Sequence, residues 1–153
     1  MEVKVFKTFA VEQYPVANLY VQEFKLVKSN TEYKSQILGV DRDFWRPPSA
    51  LVEELRHFHI IELQSSKDTS DAYLVYCSGY SNPNYYLVID LILKDAHEKT
   101  RDMNRMRNYV EIAKQFRNKY WNELLIAADL CGLTPLIRSN FSPLYRHLVE
   151  FSL

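Results

Sequence analysis

"AYLVYCSGYSNPNYYLVIDLIL", Ala72 to Leu93, decides how the chain is organised. Residues 72–80 and 85–93 are rich in Val, Ile, Leu and Tyr, side chains that suit a half-buried pleated surface. The "SNPN" between them is made of turn formers and is short enough for a hairpin. Upstream, "HFHIIELQ" (57–64) is a third strand of the same kind, followed by the turn-rich "SSKDTSD". Downstream the apolar run stops at Lys94, and from about Arg101 the apolar positions Met106, Tyr109, Val110, Ala113, Phe116 and Tyr120 return at helical spacing. That helix is expected to continue through Leu124, Leu125 and Ala128 and to stop at Gly132.

The N-terminal third adds a strand and helices. "MEVKVFKTF" alternates Val3 and Val5 with charges, the pattern of an edge strand. Pro15 opens a helix carried by Val16, Leu19, Tyr20, Phe24 and Val27, ending near Ser29–Asn30. "TEYKSQILG" is expected to be a short helix between a Thr31 cap and Gly39, and "VDRDFWRPP" a loop holding Trp45. Ser49 is expected to cap one or two turns reaching Leu55. At the far end Ser142–Pro143 starts a helix with Leu144, Leu148 and Phe151 on one side. Strand, helices, three strands and helix make an α+β domain with one mostly antiparallel sheet. The apolar stripes of residues 119–153 would form a patch that monomers avoid exposing. This helical extension is therefore expected to pack on its own domain or to bury itself in a homodimer.

A chain of 153 residues with 47% apolar and 25% charged content is an ordinary soluble domain. No stretch approaches the roughly 18 apolar residues of a membrane helix, and no secretion signal opens the chain, so a cytoplasmic protein without membrane contact is expected. Cys77 and Cys131 sit in apolar contexts and fit reduced core residues. Net charge is zero but uneven. Residues 31–71 carry eight acids against five bases, and residues 94–119 carry eight bases against four acids. The basic segment is either a solvated helix face or a surface for phosphate. With three glycines there is no phosphate-cradling loop, and no Gly-x-Ser-x-Gly elbow or Cys-x-x-Cys pair occurs.

Four histidines make each informative. His57 and His59 lie two apart on a strand and point to one face, about 7 Å apart. They are hydrogen-bonded structural groups, part of a metal site whose further ligands only His97, Cys77 or an acid could supply, or groups that act in catalysis or touch RNA. His97 follows the last strand among Lys94, Lys99 and Arg101. It is either an exposed loop residue or a proton carrier beside cations. The second is what RNA cleavage needs, since RNA supplies its own 2′-hydroxyl nucleophile and requires no metal or cofactor. Asp90, inside an apolar strand, faces the solvated side or pairs with a base. Eleven tyrosines, many around the hairpin, pack the core or stack bases.

Asp71 to Arg117 resembles the YafO family of bacterial type II toxins. The resemblance rests on "LVYC", the strand ending in "LILK", His97, the run Arg101–Asp102–Asn104–Met106, and Ala113, Phe116 and Arg117. Upstream, "VFKT" (Val5–Thr8), Gly39 with Asp41, and His57 with His59 fit it too, so it covers about residues 1–118. It implies a RelE-like toxin domain with a curved, mostly antiparallel sheet in the order β-α-α-β-β-β-α, followed by the extension. It further implies a metal-independent endoribonuclease that cuts mRNA in the translating ribosome and is silenced by a cognate antitoxin. The catalytic residues would be His97, His59, His57 and Arg101, with Lys94, Lys99, Arg105 and Arg107 on RNA. A non-catalytic RNA- or ribosome-binding module and a degenerate antitoxin-binding protein of the same fold are the rivals.

Overall fold

The computed structural model describes residues 2–61 and 70–118, together with the backbone of Leu148–Glu150. The elements in chain order are β1 (Lys4–Thr8), α1 (Phe9–Glu12), α2 (Ala17–Ser29), β2 (Leu38–Asp43), α3 (Pro48–Val52), β3 (Arg56–Ile60), β4 (Tyr73–Ser78), β5 (Tyr85–Ile92), α4 (Ala96–Lys99), α5 (Met103–Arg117) and β6 (Leu148–Glu150). They form an α+β fold around one mixed sheet ordered β2-β3-β4-β5-β1-β6. Neighbours are antiparallel except β1 and β5, which run parallel.

Strand alternation divides the core between the two faces of the sheet. On one face Phe58, Leu74, Tyr76 and Val88 pack with Val21 and Phe24 of α2. On the other, Tyr73, Val75, Cys77, Leu87 and Ile89 pack with Met106, Tyr109, Val110, Ala113 and Phe116 of α5. The helix α5 starts where Asp102 caps it, its carboxylate accepting from the N–H groups of Asn104 (2.9 Å) and Arg105 (3.4 Å).

A bulge interrupts the alternation in β5. Val75 pairs with Asp90 and Tyr76 with Val88, leaving Ile89 as the extra residue. Ile89 and Asp90 therefore both face α5. The odd acid in the apolar strand is explained: its carboxylate accepts a hydrogen bond from the Tyr109 hydroxyl and lies 3.7 Å from the Arg105 guanidinium. The freed Ile89 carbonyl accepts from the Thr8 hydroxyl at 2.7 Å, and the same Thr8 caps α1.

Several expectations are corrected. Residues 31–39 are not a helix, because side chains compete for the backbone donors. Asn30 Oδ1 takes the Glu32 N–H, and Ser35 Oγ takes those of Ile37 and Leu38. The chain leaves that turn as β2, which includes Val40–Asp43 of the expected loop. Pro47, not Ser49, stands at the N-cap of α3, Pro48 opens its first turn, and no side chain caps that helix. The strand β1 is not an edge. It lies between β5 and β6, and Lys7 is buried, with its ammonium on Asn18 Oδ1 at 3.2 Å. Leu148–Glu150 is a strand where a helix was expected. Its backbone pairs with Phe6–Thr8 and satisfies the side of β1 that β5 does not reach. Cys77 is a buried free thiol. Cys131, the rest of the expected C-terminal extension, its packing or dimer, and the end of the "HFHIIELQ" strand lie outside the described residues.

Candidate active site

His57 and His59 reach the α5 face because Phe58 and Ile60, their neighbours on β3, point to α2. Across the ladder His57 faces Val75 and His59 faces Tyr73 on β4, while Arg42 on β2 faces His57 from the other side. Opposite His59, β2 bulges, with Gly39 and Val40 opposing that one residue. A Cβ at Gly39 would stand 3.2 Å from the Ile61 side chain and 3.4 Å from the His59 carbonyl, so the bulge favours glycine there. The rings form a continuous floor. Tyr73 lies 4.2 Å from His57 and 4.7 Å from His59, the two imidazoles are 5.2 Å apart, and Phe44 covers His57 at 4.3 Å.

His97 closes this floor from the far side of β4. Asp95 adopts the left-handed conformation (φ 55°), which Asp tolerates better than most residues, and turns the chain out of β5 into α4. Asp71, just before β4, then clamps the new helix. Its backbone carbonyl accepts from Ala96 N–H at 3.1 Å, and its carboxylate accepts from His97 N–H at 2.8 Å. The same oxygen lies 2.6 Å from His97 Nδ1. A carboxylate at that distance favours the tautomer with the proton on Nδ1, which leaves Nε2 as the acceptor nitrogen of the ring. The His97 ring is 5.3 Å from Tyr73 and 6.1 Å from His59, yet its side chain remains 59% exposed.

The electrostatics divide the site into a neutral floor and a polar rim. Burial, reinforced by His59, pushes His57 down to about 4. Burial also lowers His59, against a hydrogen bond with the Ser70 backbone that pulls the other way. Both Nδ1 atoms are buried and lack a hydrogen-bond partner among the described residues. Burial raises the Tyr73 phenol to about 12, with help from the Asp71 charge. Hydrogen bonds from the His97 backbone N–H and then from its ring hold the Asp71 carboxyl below the usual range. At neutral pH His57 and His59 are therefore uncharged.

A pH dependence of stability follows. His57 binds a proton near its ordinary 6.5 when unfolded but only near about 4 when folded, so acid favours the unfolded chain. Stability should be full above about pH 6.5 and fall as pH drops towards about 4, by about 3 kcal/mol for a shift of that size. Urea unfolding at a series of pH values checks this, and His57→Phe should flatten the slope. A wild-type stability unchanged between neutral and mildly acid pH would contradict the buried, neutral imidazole.

Of the residues expected at the site, His57, His59 and His97 come together. Arg105 is drawn to Tyr109 (3.3 Å) and Asp90, and the Lys99 ammonium donates to the Lys94 carbonyl at 2.8 Å. The side chains of Lys94, Arg101 and Arg107 are exposed and form no ion pair among the described residues. Reading the sequence missed Asp71, Arg42 and Phe44 as site residues and left Tyr73 among the hairpin tyrosines that pack the core or stack bases. Hairpin closure held the signal for Asp71. Residues just before β4 and just after β5 must meet when Tyr73 pairs with Ile92. No group of three or more His, Cys, Asp or Glu side chains among the described residues is placed to hold a metal ion. No helix among them is long and apolar enough to cross a membrane.

No solved structure matches the chain. The mRNA interferase toxin YafO of Escherichia coli (strain K12) is 27% identical over 82 residues, covering 48% of this chain and 62% of that protein. The chain thus matches less than two thirds of that relative's length. The family described as toxin YafO, type II toxin-antitoxin system, matches residues 22–118, more than half of the chain and the whole of the cluster from Arg42 to His97. By that match, the chain belongs to the YafO toxin family.

Proposed function

We propose that the protein is the toxin of a toxin–antitoxin pair and acts as an endoribonuclease on mRNA held in the translating ribosome. The observation that carries this reading is the Asp71–His97 pair at the rim of the His57–His59–Tyr73 floor, inside the family-matched segment. In this mechanism His97 Nε2 takes the proton of the RNA 2′-hydroxyl. The oxygen attacks the adjacent phosphorus, the bond to the 5′-oxygen breaks, and that oxygen takes up a proton. The products are a 2′,3′-cyclic phosphate and a 5′-hydroxyl end. RNA provides the nucleophile, so the mechanism calls for no metal and no cofactor. Asp71 orients the ring and stabilises the imidazolium that forms. His57, His59 and Tyr73, uncharged at neutral pH, shape a water-poor floor in which each charge interaction counts for more. Lys94 and Arg101, exposed beside α4, supply cations for flanking phosphates, and Arg107 extends that basic surface along α5. Arg105 is engaged with Asp90 and Tyr109 and is given a structural role here in place of an RNA contact. The expected RelE-like order β-α-α-β-β-β-α is met only in part: four strands, β2 to β5, follow the first two helices where three were expected, and α3 lies between β2 and β3. The family's description implies a partner antitoxin, which we place over this rim in the cytoplasm.

Expression without an antitoxin should arrest growth, and primer extension should reveal cuts within translated messages. Intact messages in arrested cells would remove the nuclease step and leave a ribosome- or RNA-binding module. Normal growth of cells making soluble protein would remove the toxin reading and leave a degenerate antitoxin binder.

A further inference from the structure

We propose that Arg42, on strand β2, holds the phosphate at which the RNA is cut. The proposal rests on the nuclease reading above and adds to it the group that stabilises charge on phosphorus. The register of β2 against β3 places Arg42 directly opposite His57, on the face that carries the three histidines. Its charge is felt at His57, His59 and Tyr73, which places it against the floor from the side opposite His97.

The neighbours of Arg42 explain why its charge remains available. Asp41 and Asp43 point to the other face. There Asp41 accepts from the Lys28 ammonium at 3.0 Å and from the Arg56 guanidinium at 3.2 Å, while Asp43 lies 3.3 Å from that same guanidinium. Arg56 and Lys28 thus neutralise the acids of β2 on the α2 side. Arg42 is exposed and forms no ion pair among the described residues. By contrast, Arg105 is committed to Asp90 and Tyr109, and Lys99 to a backbone carbonyl. The phosphorane formed by 2′-hydroxyl attack carries more charge on its equatorial oxygens than the ground-state diester. A planar guanidinium can donate to two of those oxygens at once, and a donor aimed at developing charge contributes most beside a floor that excludes water. His97 and Arg42 then stand on opposite sides of the same rings, one moving protons and the other holding the phosphate.

The test measures cleavage of a translated message by the full chain in a reconstituted translation reaction. R42A should cut about 10²–10³-fold more slowly than wild type, the usual loss for one such donor. R42K should recover only part of the rate, because it restores charge without the two-pronged donor. Thermal melting should stay at the wild-type value. R42Q, which keeps the stem and a polar end, provides the same comparison if R42A folds poorly. Wild-type cleavage matched by R42A or R42Q overturns the role of Arg42 and leaves the nuclease reading in place. No cleavage by wild-type protein on translating ribosomes overturns both.

Discussion

Replacing His97 by alanine should slow mRNA cleavage by about 10²–10⁴-fold, the span expected when a general acid or base is removed. Folding should hardly change. The imidazole is mostly exposed, and an exposed ion pair contributes no more than about 1 kcal/mol. The backbone clamp also survives, because His97 N–H still donates to Asp71 and Ala96 N–H to the Asp71 carbonyl. Asp71→Asn keeps an acceptor for those groups but removes the charge that stabilises an imidazolium, so it should slow cleavage less than His97→Ala. The two variants together separate proton transfer from positioning. Near-wild-type cleavage by folded His97→Ala protein would return His97 to an exposed surface residue and move the chemistry to His57 and His59. Those would first have to escape the burial that keeps them neutral.

The elements that could be read in the sequence were those with one regular period. Helix α5 carries apolar residues three to four apart and starts within a few residues of where the pattern puts it, although it ends at Arg117 and does not run on towards Gly132. The β4–β5 hairpin stands out as two apolar runs around a turn and lies where they put it. Strand β2 was illegible because "LGVDRD" has almost no apolar face. Its charges alternate between an ion-pair cluster on one side and the candidate site on the other, so both sides look solvated. The β5 bulge was hidden for another reason. A strict period of two sends Asp90 towards α2, and the one-residue slip at Ile89 turns it to α5. Within the site, the three histidines were visible as candidates, but β4 lies between His59 and His97, and nothing local shows that Tyr73 bridges them. Only pairing two strands in register brings Asp71 to His97 and Arg42 to His57, and pairing is information that neither segment carries alone.

Asp41→Ala should give a large loss of stability. The Asp41 carboxylate gathers the Tyr76 hydroxyl at 2.7 and 2.8 Å, the Lys28 ammonium at 3.0 Å and the Arg56 guanidinium at 3.2 Å. Lys28 is boxed by rings, 4.5 Å from the centre of Tyr76 and 4.8 Å from that of Phe58, and burial lowers its affinity for a proton while Asp41 restores it. Without the carboxylate a largely buried ammonium loses its counter-charge, and breaking a buried pair in this way costs about 3–5 kcal/mol. Asp41 and Lys28 retain some contact with water, so the low end, about 3 kcal/mol, is expected. For a domain of this size that corresponds to a melting point roughly 6–12 °C lower. The unpaired charge is the main cost, so Asp41→Ala combined with Lys28→Met should be more stable than Asp41→Ala alone. Cleavage should fall as well, because the cluster ties β2 to α2 and β4, and Arg42 is the next residue on that strand. A urea midpoint for Asp41→Ala equal to wild type would show that the cluster does not hold β2. A double variant no more stable than the single one would show that Lys28 finds water or another partner, and that the rings around it do not isolate its charge.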